Sequence, residues 1–398
     1  MKRILMLTNI YPTLDSNYPG TKVCHFFTSE WKKMGYDVRV IHYDSLFPKV
    51  YYIIAGFMRN TIMAKTGAVV DLNTPDKAMF YEVEGIKVLR VTLKKYVPHG
   101  KFSTKSIQKA LSETLDFLYG ESYTPDVITA HFVSPQLEFL HLLKQHFPNS
   151  KTCMVLHSGG ENLPHYYTNY ETYMHSVDVW GFRSEAFKTA FENLYGIKPK
   201  EFLCYSGIPA SYLSSEPKEF RDIKRFVFVG SLYKLKRVND TIDALNEAFV
   251  DEKFSFDIVG DGSELDNLKQ QVAELKRTNC VCFHGKKTRD EAQQILKDAD
   301  CFIMVSSREA FGLVYVEAMA KGLIVIGTKG QGIDGVIKDG INGFLCESCN
   351  SAELAKTIKR VRNLSARELS GISQNAICTA RNLTNEKVAK HYIESIIS

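Results

Sequence analysis

Short apolar runs alternate along the chain with stretches of helical spacing, which is the pattern of strands and helices taken in turn. Arg3 to Leu7 is an apolar strand followed by a loop with Tyr18-Pro19-Gly20. Val23 to Met34 then has helical spacing, Gly35 stops it, and Val38 to His42 is a second strand. The same unit recurs with strands Val127 to Ala130 and Thr152 to Leu156 around a helical stretch from Pro135 to Gln145. Such βαβ units predict an α/β domain in the first half.

After Pro209 the polar, turn-rich Ser214-Ser215-Glu216-Pro217 has the character of a linker, and a second alternation begins. Strands are predicted at Phe226 to Val229, Phe254 to Val259, Val281 to Phe283, Cys301 to Val305 and Leu323 to Ile326. Helices are predicted between them at Val238 to Phe249, Glu264 to Lys276, Arg289 to Leu296 and Val314 to Lys321. The fold class is therefore α/β, with two successive doubly wound, Rossmann-like domains of mostly parallel strands. In such sheets ligands bind beyond the carboxyl ends of the strands, so chemistry is expected after strands rather than before them. By that rule Asp298-Ala299-Asp300, which resembles a metal-holding DxD but precedes a strand, reads as a helix-ending turn, and no metal is expected there.

Length and composition agree with this outline. At roughly 150 residues per domain, 398 residues allow two or three domains. A hydrophobic content of 44% with 24% charge excludes a fibrous or disordered chain. The longest apolar run, Val50 to Met58, has 9 residues, far below the ~20 that cross a bilayer. The amino terminus is cut by Thr8-Asn9 and Pro12 too early for a signal peptide. Nine scattered cysteines form no disulfide framework, so the cytoplasm is the expected compartment, and Cys346 with Cys349 is an isolated CxxC of incidental thiols.

The net charge of +5 lies entirely in the first 200 residues. Gly85 to Ser112 carries Lys87, Arg90, Lys94, Lys95, Lys101, Lys105 and Lys109 with no acid. With the aromatic and apolar stretch Phe47 to Met63 nearby, this stripe points to an anionic membrane surface; a solvated face is the plainer reading. Nucleic acid is not an expected partner.

The densest chemistry lies in Ser306 to Met319, which follows a strand and opens a helix. Gly312 lets backbone approach a ligand, and the free amides of Leu313 and Val314 in the first turn form an anion site suited to a diphosphate. Glu309 before the turn and Glu317 within the helix can accept hydrogen bonds from sugar or ribose hydroxyls. Read structurally instead, Glu309 is a charge favoured by the helix dipole and Glu317 an exposed helix residue. Other post-strand segments reach the same edge. Gly230-Ser231 is followed by Lys234 and Lys236, either of which can reach phosphate oxygens, and His284-Gly285-Lys286 offers backbone to a nucleobase. Gly260-Asp261-Gly262 lacks the third glycine of a dinucleotide fingerprint and is explained by a tight turn. In the first domain His131 and His157 each end a strand and are expected to face the gap between domains. Neither a P-loop nor a GxSxG elbow occurs.

Together these residues resemble the retaining glycosyltransferases of family 4, which have the GT-B fold. Glu309 to Glu317 fits the family's E-x7-E motif around a Phe-Gly-Leu core, and Glu317 to Ile326 resembles its "EAMA-x-G-x-PVI" stretch. Asn342 to Leu345 resembles its "NG-x-L" turn and Ser206-Gly207-Ile208 its "NG-I". The resemblance implies an acceptor-binding domain over 1–205, a donor-binding domain over 206–380, and a last helix, 381–398, packed back on the first domain. It implies that Glu309 and the backbone of Phe311, Gly312 and Leu313 hold the transferred sugar and β-phosphate. Glu317 takes the ribose, Lys236 the diphosphate, and His284 to Lys286 the base, while Gly20, His131 and His157 line the reacting sugar. Glu309, His131 and Lys236 are the expected catalytic set, and Ser231 stands where the family usually has arginine.

The implied activity is a metal-independent, retaining hexosyl transfer from a UDP- or GDP-linked sugar to a glycan or lipid-linked acceptor, in polysaccharide or glycolipid biosynthesis. No cofactor is expected, and the location is cytoplasmic, at the inner face of the membrane. A sugar-nucleotide epimerase or phosphorylase of the same fold, or a non-catalytic sugar-nucleotide-binding partner subunit, stays open as an alternative.

Overall fold

The computed structural model describes residues 2–13, 22–54, 78–97, 100–250 and 252–398. Two sheets organise them. The first contains β1 (Arg3–Thr8), β2 (Asp37–Leu46), β3 (Met79–Val83), β4 (Ile86–Lys94), β5 (Val127–His131), β6 (Lys151–Leu156), β7 (Val179–Phe182) and β8 (Glu201–Leu203). Their spatial order is β3-β4-β2-β1-β5-β6-β7-β8, and every pair is parallel except β3 with β4. The second contains β9 (Arg225–Val229), β10 (Ser255–Val259), β11 (Val281–Gly285), β12 (Cys301–Ile303), β13 (Ile324–Thr328) and β14 (Phe344–Cys346), in the all-parallel order β11-β10-β9-β12-β13-β14. The fold is the α/β, two-sheet GT-B arrangement.

Both windings reverse beside their first strand, at β1/β5 in one sheet and at β9/β12 in the other. These are the crevices where open parallel sheets receive ligands.

The strands read as apolar runs are present, with ends shifted by a few residues. The hairpin β3–β4 went unread. It turns on Glu84 and Gly85, both at positive φ (49° and 73°), the backbone that a two-residue hairpin loop demands. This hairpin also breaks up the basic stripe. Arg90 lies in β4, buried and hydrogen-bonded to Asp44 of β2, while Lys87 pairs with Glu121 and Lys109 with Glu113. Acids from other elements thus answer Arg90 and Lys87, and the next turn of its own helix answers Lys109. Lys94, Lys101 and Lys105 are exposed, as are Val50, Ile53, Ile54, Tyr96 and Val97. The part of the apolar stretch beyond Ile54 lies outside the described residues. Among the described residues no helix is long and apolar enough to cross a membrane.

The last helix, Asn385–Ile397, returns to the first sheet's side of the molecule and packs on Val23–Lys33. Trp31 donates its Nε1–H to the carbonyl of Ala389 at 2.8 Å, and Tyr392 sits among Phe27, Trp31 and Phe202 with ring centroids 5.0 to 5.1 Å away. The chain crosses between lobes twice, and the crossings are zipped together. Ile208 N–H donates to Leu383 O at 3.0 Å and Asn385 N–H to Ile208 O at 2.8 Å. Gly207 lies so close that a Cβ there would meet Asn385 Cα at 2.6 Å, which accounts for glycine at this crossing.

Candidate functional site

Glu309 lies on the loop between β12 and the helix Leu313–Ala320, and Lys236 ends the short turn after β9. Lys236 Nζ donates to Glu309 Oε2 at 2.5 Å, so an ion pair spans the β9/β12 crevice. Both sides of the pair are braced by backbone. Ser307 N–H donates to Leu235 O at 2.9 Å, Glu309 N–H donates to Gln331 Oε1 at 3.0 Å, and Gly332 N–H donates to Glu309 O at 2.9 Å. A Cβ at Gly332 would fall 2.3 Å from the Ala310 carbonyl, so the loop after β13 presses directly on the Glu309 loop.

Gly312 caps the helix at φ 75°, and a Cβ there would meet the Tyr315 ring at 2.5 Å. Glycine is thus required twice over, by backbone sign and by space. Its position leaves the amides of Leu313 and Val314 at the helix start without intrahelical partners. The Phe311 side chain does not point into an open pocket. It is buried against Tyr205 of the other lobe (ring centroids 5.3 Å apart), with the Arg183 guanidinium 5.3 Å above it.

Glu317 is buried, not exposed. Its Oε1 accepts from Arg289 Nη2 at 2.5 Å and its Oε2 from Gln293 Nε2 at 3.0 Å. The Arg289 guanidinium lies 5.8 Å from the Phe26 ring and 5.4 Å from that of Tyr212, so the carboxylate is tied to the side of the molecule that carries the first helix.

Two close approaches shape the loops after β9 and β10. A Cβ at Gly260 would meet Gly230 O at 1.8 Å, and one at Gly262 would meet Leu232 O at 2.5 Å. Gly260-Asp261-Gly262 is therefore more than a tight turn: its glycines let one post-strand loop lie backbone to backbone on the other. Ser231 and Lys234 are exposed on that loop. The imidazole of His284 is held by Asp257, with Nε2 2.6 Å from Oδ1, while Gly285 is open and Lys286 exposed. Asp300 occupies the amino edge as a latch, its carboxylate accepting from the Arg225 side chain at 2.6 Å and the Arg225 amide at 3.0 Å.

In the first lobe His131 is completely buried and does not itself face the gap. Its Nδ1 lies 3.1 Å from His157 Nε2, and its Nε2 lies 3.0 Å from the hydroxyl of Tyr392 on the last helix. His157 is half-buried and stacked on Phe132 at 4.0 Å. Burial, and then the nearby Arg183 charge, holds both imidazoles well below the ordinary histidine range, so both are neutral at neutral pH. Across the gap Glu161 of this lobe lies 3.9 Å from Arg308 of the other. Gly20 lies outside the described residues.

The geometry thus brings Glu309, Lys236 and Gly312 to one crevice and His131 and His157 to one chain of hydrogen bonds. It adds Arg289, Gln293, Gln331, Arg183, Tyr205 and Tyr392, which the sequence reading passed over. Gln331 follows β13 and answers to the post-strand rule; Tyr392 is 261 residues from His131, and no local signal announces it.

Residues 214–377 match the family described as "Glycosyl transferases group 1". A segment of 124 residues is 36% identical to N-acetyl-alpha-D-glucosaminyl L-malate synthase of Bacillus anthracis, covering 31% of this chain and 32% of that protein. The chain spans under half the length of the curated relatives it matches. The whole fold is similar to the apo form of the lipopolysaccharide outer core galactosyltransferase WaaB (TM-score 0.70, 17% identity, 99% of each chain). It is also similar to Anabaena Alr3699/HepE in complex with UDP and glucose (TM-score 0.65, 19% identity, 100% of each chain). The family match thus lies in the part of the chain that builds the second sheet, and the likeness to the two solved structures extends over the whole fold.

Proposed function

We propose that the protein is a retaining glycosyltransferase that moves a sugar from a nucleoside diphosphate sugar to a hydroxyl of a glycan or lipid-linked acceptor. The observation that carries this reading is the Lys236–Glu309 pair beside the glycine-capped helix at the β9/β12 crevice. As the bond between the sugar and the diphosphate breaks, negative charge grows on the leaving phosphate. Lys236 and the amides of Leu313 and Val314 are fixed donors for that charge, so the reading needs no divalent metal at this step. The acceptor hydroxyl forms the new bond on the same face of the sugar and gives its proton to the departing phosphate. Glu309 orients the sugar through its hydroxyls and does not attack it. Glu317 takes the ribose, and the open Gly285 with Lys286 borders the base.

UDP is the favoured donor nucleotide, because Alr3699/HepE binds UDP and glucose on the same fold. WaaB acts on lipopolysaccharide outer core, which supports a cell-surface glycan or glycolipid as acceptor. A peripheral position at an anionic membrane surface is part of the proposal and is supported by exposed Val50, Ile53, Ile54, Tyr96 and Val97 together with Lys94, Lys101 and Lys105.

The test is calorimetric titration with UDP and GDP, followed by assay of donor hydrolysis over a panel of UDP- and GDP-sugars. Binding of one nucleotide and slow hydrolysis of a matching donor are expected. No heat with either nucleotide rejects the reading, and binding without any turnover favours the non-catalytic subunit. Sedimentation with anionic vesicles at low salt tests the membrane component separately.

A further inference from the structure

The outer edge of the second sheet carries three side chains that take no part in the transfer step, although the backbone at His284 to Lys286 is the segment expected near the base. β10 and β11 pair in parallel with Asp257 opposite Cys282, and His284 follows two residues on. Cys282 is exposed on the face opposite buried Val281, and although the register shifts at His284, its imidazole reaches the same face, with Nε2 2.6 Å from Asp257 Oδ1. Asp257 likewise stands between buried Phe256 and Ile258 and projects to the same face as Cys282. One ligand atom from each of Asp257, Cys282 and His284 lies within 4.8 Å of the other two. Cys282 is a free, exposed thiol, and the other two residues are half-buried.

We propose that Asp257, Cys282 and His284 form a binding site for a zinc-class divalent cation, with water completing a four-coordinate shell. Thiolate, imidazole and a single carboxylate together select zinc or its borderline neighbours over magnesium and calcium, which require mostly oxygen ligands. Tetrahedral zinc, with bonds near 2.0 to 2.3 Å, sets its ligand atoms about 3.3 to 3.8 Å apart. The Asp257–His284 contact at 2.6 Å opens and the thiol closes in by side-chain rotation, with the paired strands left in register. On binding, the Cys282 thiol gives its proton to solvent and coordinates as thiolate. Because β11 is, among the described residues, bonded to a neighbour on one side only, a cation here would clip the sheet's edge strand to β10. The site lies on the sheet face, whereas Glu309 and Lys236 stand beyond the carboxyl ends of β12 and β9, so the proposal does not rest on the transferase reading.

The experiment uses the full chain freed of metal by a chelator, with cobalt(II) as the spectroscopic probe and zinc(II) measured against a chromophoric competitor. One cobalt per chain is expected, with the charge-transfer absorption of a thiolate ligand, displaced by zinc. Cys282→Ser removes that absorption and weakens zinc binding by at least ~10-fold, and Asp257→Asn weakens it without removing the thiolate band. Cys282 is exposed, so its replacement touches no core, and circular dichroism of each variant checks the fold. Cys349→Ser, at another exposed thiol, leaves binding and spectrum unchanged. Absence of thiolate charge transfer in the wild-type chain, or its survival in Cys282→Ser, overturns the proposal.

Discussion

Lys236 Nζ lies 2.5 Å from Glu309 Oε2, and this one pair joins the loops that leave β9 and β12, the neighbours between which the second sheet's winding reverses. Each group is the other's counter-charge in a half-buried setting. The ammonium has three donors, so it can keep Glu309 and still reach a phosphate. The pair is therefore a preformed positive and negative division of the crevice, with cation for the leaving group and carboxylate for the sugar.

Lys236→Ala and Glu309→Gln should each lower turnover of the preferred donor on the order of 100-fold or more while leaving the thermal melt close to wild type. Because the two side chains touch, the double variant should lose less than the product of the single losses. Initial rates for the four members of this cycle, together with melts, check both statements.

Gly312→Ala attacks the same site through the backbone. The residue holds φ at 75°, and a Cβ would sit 2.5 Å from the Tyr315 ring, itself buried with its hydroxyl bonded to the Met304 carbonyl. Strain of this kind costs on the order of 1–3 kcal/mol. A lowered urea midpoint with an unchanged slope is expected, along with weaker nucleoside diphosphate binding, because the helix start that presents its amides is displaced.

The His131–His157 pair, buried at His131 and half-buried at His157, predicts the pH dependence of stability. Burial lowers both pKa values well below the ordinary 6.5 in the folded state. Below pH 6.5 the unfolded chain takes up protons that the folded chain refuses, so folding stability is complete above that pH and declines as the pH falls beneath it. For fully buried His131 the slope approaches about 1.4 kcal/mol per pH unit. Urea unfolding between neutral and mildly acid pH should show this decline, and His131→Gln should flatten part of it.

How far the sequence alone reaches is visible in particular residues. The post-strand rule picked out Lys236, Glu309 and Gly312, because strand, turn and helix start are encoded within a few neighbouring residues. It could not foresee that Glu317 is buried under Arg289 and Gln293, since the helix Arg289–Asp298 meets the helix Leu313–Ala320 only through tertiary packing. His131 ends its strand as read, yet its partner Tyr392 arrives from the other end of the chain. Two charges of the basic stripe are answered by acids distant in sequence, Arg90 by Asp44 and Lys87 by Glu121, while Lys94, Lys101 and Lys105 stay exposed. Hairpin β3–β4 was hidden for a similar reason: its apolar strand β4 carries lysines and an arginine whose charges are answered elsewhere.

Glu317 offers the sharpest separation of binding from chemistry. Its carboxylate already accepts two hydrogen bonds from Arg289 and one from Gln293, but two carboxylate oxygens have about four lone-pair sites in all, leaving room for one ribose hydroxyl. Replacing it by glutamine keeps the volume and one acceptor oxygen while removing the charge that holds Arg289. Arg289 is then released from its place between Glu317 and the rings of Phe26 and Tyr212, so the donor lobe loses a contact toward the first helix as well as a ribose acceptor. Neither loss touches the breaking bond. Glu317→Gln should thus raise the donor KM about 10-fold or more with a much smaller fall in kcat, the mark of an interaction made equally in ground and transition states. Steady-state kinetics against donor at saturating acceptor distinguish this from the Glu309 variant, in which kcat carries the loss.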